Sequence, residues 1–218
     1  MTKTKLCMLD LDGTLLDSID DIANSMNNIL TAHGYPAQST TQYKQFVGHG
    51  ARKLLGRALP PDHGLSEETI GEMLEAFRGY YAHHNMDMTK PYDGIPELLR
   101  YMADAGIHLA VVSNKPQKST EPLMKAFFAD IEFVAVYGDL AGRPLKPDPY
   151  LAHELFKMTG VTPDQAVMIG DAEPDIIFAK NASVFSIGVL WGFRSREELE
   201  AAGPGAIVEH PDQIKALL

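Results

Sequence analysis

Five short apolar runs punctuate the chain: Leu6–Leu9, then 107–112, 133–137, 166–169 and 184–189. Each holds four to six residues, several of them β-branched, and each is followed by a turn and then by helical periodicity. Runs of that length read as strands buried on both faces. Strands alternating with helices imply a parallel sheet covered by helices, an α/β fold of Rossmann-like type. Local signals mark helix starts. Asp93 precedes Ile95, Leu98, Leu99 and Met102, which share one face. Ser195-Arg196-Glu197-Glu198 has the form of a capping box, and Asp148-Pro149 sets a capping side chain before a proline.

One region breaks the alternation. Between about 18 and 89 no strand pattern occurs. Ile19, Ile22, Ala23, Met26, Ile29 and Leu30 recur at helical spacing, as do Ile70, Met73, Leu74, Phe77 and Tyr81 after a Ser66 cap. The pattern predicts a Rossmann-like core of residues 1–17 and 90–218, with an inserted α-helical cap domain, or lid, over 18–89.

Composition changes the picture in three ways. The formal net charge of −10, with no Lys/Arg run, disfavours nucleic acid as a partner. A single cysteine, Cys7, excludes an intrachain disulfide and fits a cytoplasmic protein. Lying among Leu6, Met8 and Leu9, it reads as core packing. No apolar stretch is long enough to span a membrane, and the first residues lack a signal-peptide layout.

The candidate chemistry lies at the ends of the apolar runs, where open parallel sheets bind ligands. The first run ends in Asp10-Leu11-Asp12-Gly13-Thr14, the second in Ser113-Asn114-Lys115, and the fourth in Gly170-Asp171 with Asp175 four residues on. Asp171 and Asp175 can share a hard cation. Gly13 allows a tight turn whose N–H groups could face a phosphate. Lys146, between Leu145 and Pro147, reads as a fixed counter-charge at the opening of a helix. Each piece also has a plainer structural reading: a turn, a first-turn charge pattern, a cap, a surface lysine. Their joint placement at three strand ends points to a phosphoryl site. The eight histidines show no zinc-binding spacing.

These four motifs, in this order, resemble those of the haloacid dehalogenase superfamily, and of its phosphatases in particular. The resemblance covers nearly the whole chain, including the helical insertion. Three further stretches, 48–59, 90–94 and 110–116, resemble phosphoglycolate phosphatases. Dehalogenases of the superfamily normally lack the second aspartate, which is present here as Asp12.

The resemblance implies a Mg2+-dependent phosphatase. Asp10 would be the nucleophile and Asp12 the acid and base, with Ser113 and Lys146 completing the catalytic set. The metal would be held by Asp10, the Asp12 backbone carbonyl, Asp171 and Asp175. Gly13, Thr14, Ser113, Asn114 and Lys146 would bind phosphate. His49, Gly50 and Arg52 of the cap would read the leaving group, with Arg52 on a substrate carboxylate. The implied partner is a small phosphate ester, 2-phosphoglycolate first, handled by a monomer or homodimer. Pyrophosphate, sugar phosphates and nucleotides remain alternative substrates. A phosphosugar mutase or a non-catalytic binding module remains an alternative class.

Overall fold

The apolar runs become strands of one sheet in the computed structural model, which describes residues 3–218. In chain order the strands are β1 (Leu6–Leu9), β2 (Leu16–Asp17), β3 (Lys90–Pro91), β4 (His108–Pro116), β5 (Ala135–Asp139), β6 (Ala166–Gly170), β7 (Phe185–Val189) and β8 (Ala206–Val208). Six of them lie in the order β5-β4-β1-β6-β7-β8, and every neighbouring pair is parallel. The order reverses beside β1, so the crevice at its carboxyl end is the expected ligand site.

Alternation within the strands explains the unbroken apolar runs. Cys7 and Leu9 of β1 join Leu109, Val111, Val167 and Ile169 on one face. Leu6 and Met8 join Ala110, Val112, Ala166 and Met168 on the other. Both faces are covered, so neither parity of residue can be polar. Cys7 is fully buried, as core packing requires, and burial pushes its thiol pKa up.

The helices are α1 (Ile19–Ala32), α2 (Thr40–Phe46), α3 (Ala51–Ala58), α4 (Glu67–His84), α5 (Ile95–Asp104), α6 (Gln117–Phe127), α7 (Tyr150–Thr159), α8 (Glu173–Asn181) and α9 (Arg196–Ala202). Helices α1 to α4 form the cap and pack an apolar core of their own around Met26, Leu30, Tyr43, Leu55 and Met73. The chain enters and leaves this layer through an antiparallel ribbon, Leu16 opposite Pro91 and Asp17 opposite Lys90. None of the helices among the described residues is long and apolar enough to cross a membrane.

Several local signals act as the sequence implies. Ser66 accepts from the Thr69 N–H, and Ser195 forms its capping box with Glu198. Three details differ. Gly94, at φ 82°, is the N-cap of α5 in place of Asp93. Lys146 does not open a helix; it lies four residues before α7, and Asp148 accepts from the Tyr150 N–H at 2.9 Å. Strand β5 starts two residues later than the apolar run and continues through Gly138 to pair Asp139 with Pro116 at the end of β4. A Cβ on Gly138 would strike the Lys115 carbonyl and Gln117. Strand β8 is three residues long and partly exposed, too short for periodicity to reveal.

The returning chain is fastened to the cap by one buried carboxylate. Asp21 of α1 accepts from the Met88 N–H at 3.0 Å, the Thr89 N–H at 2.9 Å and the Thr89 hydroxyl at 2.7 Å. Asp21→Ala leaves those donors without a partner and should cost about 3 kcal/mol. Urea unfolding of the variant beside the parent protein measures it, and an unchanged midpoint would refute this role.

Candidate active site

Four charged side chains converge where β1, β6 and the loop before α7 meet. Asp10 follows β1, Asp171 follows β6, and Asp175 sits in the first turn of α8. Their carboxylate oxygens lie within 4.8 Å of one another, and all three residues are buried. Lys146 Nζ lies between two of them, donating to Asp10 Oδ1 and to Asp175 Oδ1 at 2.6 Å each. Burial raises the Asp10 pKa to about 7; Lys146 pulls it back and Asp175 pushes it up further. Asp171 is raised well above the usual carboxylate value, by burial first and then by Asp10 and Asp175. Burial works to lower Lys146, but Asp10 and Asp175 outweigh it and hold its pKa at about 12.

Three buried carboxylates against one ammonium leave an excess of negative charge on hard oxygen donors. That donor set fits a divalent cation such as Mg2+. The space is shaped by close approach of glycines. A Cβ on Gly170 would collide with Asp175, and one on Gly13 or Gly192 with Asp171. Gly13 also has φ 87°, which only glycine adopts without strain. The Phe193 N–H donates to Asp171 Oδ2 at 2.7 Å and fixes its orientation.

The Asp12 carboxylate does not join this cluster. Lys115 Nζ grips both of its oxygens, at 2.9 and 3.0 Å, and Ser18 Oγ donates to Oδ1 at 2.6 Å. Only the backbone carbonyl of Asp12 is left for the metal role expected of it. Lys115 and Tyr81 are residues that sequence reasoning missed, as are Arg78 and Arg194 on the cavity wall. Lys115 directly follows Ser113-Asn114 and ends up 6% exposed, inside a strand that runs on to Pro116. A lysine closing an apolar run was the available signal. Tyr81 lies one helical turn beyond Phe77 on the apolar face of α4, where spacing alone says core.

Ser113 and Asn114 both line the cavity between core and cap. The Asn114 side chain is spent on structure. Its amide donates to the Gly48 and Lys146 carbonyls at 3.0 Å each, and its oxygen accepts from the Lys146 N–H at 2.8 Å. The Gly13 and Thr14 N–H groups close the turn onto the Leu16 and Leu11 carbonyls at 2.9 and 3.3 Å, and neither residue is among those lining the cavity. The Thr14 hydroxyl is buried without a hydrogen-bond partner among the described residues.

The cap side of the cavity is mainly apolar: Ile22, Val47, Leu54 and Phe77, with Gly50 and Ala51 at the start of α3. Arg52 and His49 are not among its lining residues. Arg52 is exposed and pairs with Glu67, because its position on α3 points along the cap surface. His49 is half-buried, and its pKa is held below the usual value by burial and then by Arg57, Lys53 and Arg194. The arginines that do line the cavity are Arg78 of α4 and Arg194. Arg194 also ties core to cap, donating to the Lys44 carbonyl and, at 2.8 Å, to the Val47 carbonyl.

Comparison with known proteins agrees with this architecture. The haloacid dehalogenase-like hydrolase family matches residues 7–189. A phosphoglycolate phosphatase of Vibrio parahaemolyticus is 34% identical over 214 residues, covering 96% of this chain and 94% of its own. One from Pseudomonas putida is 32% identical over 220 residues, covering all of this chain and 79% of its own. A crystal structure from Haemophilus somnus, described as a predicted phosphoglycolate phosphatase, superposes with a TM-score of 0.92 at 29% identity over the full length of both chains. With its parallel sheet, its helical cap and its carboxylates gathered at the strand ends, the chain belongs to the haloacid dehalogenase-like hydrolase family.

Proposed function

We propose that this hydrolase is a Mg2+-dependent phosphatase of small phosphomonoesters, with 2-phosphoglycolate as the preferred substrate, working through an aspartyl-phosphate on Asp10. The observation that carries the reading is the Asp10–Lys146–Asp175 arrangement beside Asp171, at the floor of a cavity roofed by the cap. A buried carboxylate beside a fixed ammonium suits in-line attack on phosphorus, where positioning and charge neutralisation supply most of the rate. The kinship with phosphoglycolate phosphatases at 32–34% identity supports the choice of substrate.

The chemistry follows from the residues. An Asp10 oxygen forms a bond to phosphorus as the bond from phosphorus to the leaving oxygen breaks. Asp12 gives that oxygen a proton. Water then attacks the phosphorus of the acyl phosphate, Asp12 takes a proton from it, and phosphate and free Asp10 are restored. Lys146 and the Ser113 hydroxyl neutralise and orient the phosphoryl oxygens. A Mg2+ ion held by Asp10, Asp171, Asp175 and the Asp12 carbonyl would supply the remaining positive charge.

For the leaving group, the cation that lines the cavity from the cap is Arg78. Its neighbour Glu75 is an exposed i,i+3 partner, a weak tie that a substrate carboxylate can replace. Arg78, not Arg52, is therefore the counterpart of the glycolate carboxylate.

Three outcomes check this reading. Asp10→Asn should leave no measurable phosphate release from 2-phosphoglycolate in Mg2+, and residual turnover at parental rate would remove Asp10 from the chemistry. Arg78→Ala should raise KM for 2-phosphoglycolate by about tenfold, the scale of one lost charged hydrogen bond, while Arg52→Ala leaves it unchanged. The reverse pattern in steady-state kinetics would return specificity to Arg52.

The third outcome concerns pH. The Asp10 pKa is raised in the folded chain from 3.8 to about 7, and Asp171 shifts the same way. Their contribution to stability is therefore present at acid pH and lost as pH rises through about 7. A divalent cation binds the ionised carboxylates and offsets that loss. The rise in melting temperature on adding Mg2+ should be larger at about pH 8 than at about pH 5. Equal rises at both, read by thermal unfolding, would contradict it.

A further inference from the structure

Among the described residues, one buried cation belongs neither to the carboxylate cluster nor to the proposed phosphate contacts. Lys115 Nζ has three N–H donors and three acceptors around it: Asp12 Oδ1 at 2.9 Å, Asp12 Oδ2 at 3.0 Å and the Tyr81 hydroxyl at 2.5 Å. Its side chain is 3% exposed. The ammonium also lies 4.5 Å from the centre of the Tyr81 ring, within cation–π range. Every donor of this lysine is spent inside the protein, so it has none left for a substrate oxygen. Asp12 and Tyr81 come from opposite sides of the cavity, the one after β1 in the core and the other on α4 of the cap.

From this geometry we propose that Lys115 is a positioning residue for Asp12, and that Tyr81 makes its grip depend on the closed cap. The inference rests on the phosphatase reading, with Asp12 as acid and base. A carboxylate held at both oxygens cannot turn about its last bond, and the Ser18 hydroxyl fixes the same group from a third direction. Asp12 is thereby kept apart from the Asp10, Asp171 and Asp175 cluster while still lining the cavity. Burial works to lower the lysine's pKa. Asp12 and Tyr81 more than offset this, placing it above the usual lysine range. When the cap lifts, Tyr81 leaves with α4, and Lys115 loses one partner and its shield from water. Asp12 is then less firmly held while the site is open, and proton transfer is favoured only over an enclosed substrate.

The test uses leaving groups that do and do not need a proton. Lys115→Met keeps the length and removes the charge. Tyr81→Phe keeps the ring and removes the hydroxyl. With 2-phosphoglycolate, whose leaving alkoxide needs a proton, Lys115→Met should lower kcat by about 100-fold, the scale of a misplaced catalytic group, and KM should change little. Tyr81→Phe should lower it by about tenfold, since the ring contact remains. With p-nitrophenyl phosphate, mixing experiments should still show a full burst of p-nitrophenolate per site. Phosphate release after the burst should be slow, because water attack also needs Asp12. Mg2+-induced thermal stabilisation should match the parent, since the metal cluster is untouched.

A lost burst together with lost Mg2+ stabilisation would mean that Lys115 merely holds the site together, and would overturn the proposal. So would parental kcat on 2-phosphoglycolate in Lys115→Met. A parent protein that releases no phosphate from any ester in Mg2+ would instead sink the phosphatase reading beneath it.

Discussion

Charge burial governs the carboxyl edge of the sheet. Taking an ion out of water costs several kcal/mol even after relaxation, so each buried carboxylate needs a counter-charge or several hydrogen-bond donors within reach. Asp10, Asp12, Asp171 and Asp175 all lie at or near this edge, and the chain supplies two buried ammonium groups to balance them. Lys146 is shared between Asp10 and Asp175, while Lys115 is given to Asp12. The division leaves Asp171 with the Phe193 N–H and no salt-bridge partner among the described residues. That imbalance leaves a cluster that could hold a divalent ion. It also separates two otherwise identical side chains: Asp10 lies in the carboxylate cluster with Asp171 and Asp175, and Asp12 lies beside a lysine and a hydroxyl.

Several contacts that shape this edge cross from core to cap. Asn114 reaches the Gly48 carbonyl, Arg194 reaches the Lys44 and Val47 carbonyls, and Lys115 reaches Tyr81. Asn114 is also bonded twice to the backbone of Lys146. The strand end that carries Ser113 is thus tied both to the Lys146 loop and to the cap. The contacts that hold the cap therefore also order the strand end at the cavity.

The layout of the sheet was legible because its causes are local. Strands covered on both faces must be apolar at every position, and Leu6–Leu9 and 166–169 show that without ambiguity. Gly170 and Gly13 were legible as punctuation, but their packing against Asp175 and Asp171 was not, because the partners arrive from distant elements. Strand β8 escaped because three partly exposed residues carry no period.

The sequence by itself determined which carboxylates, hydroxyl and lysine stand at the strand ends, since strand length and turn chemistry fix those positions along the chain. Only the tertiary structure decided which lysine meets which aspartate. Lys115 and Asp12 are 103 residues apart, and Lys146 and Asp10 are 136 apart. It also decided that Arg78 and Tyr81 of α4 line the cavity while Arg52 of α3 lies on the cap surface with Glu67. Helical spacing tells which residues share a face, but the direction that face takes depends on how the helix docks. Docking is set by the apolar core of the whole cap around Met26, Leu30 and Met73, which no local stretch contains.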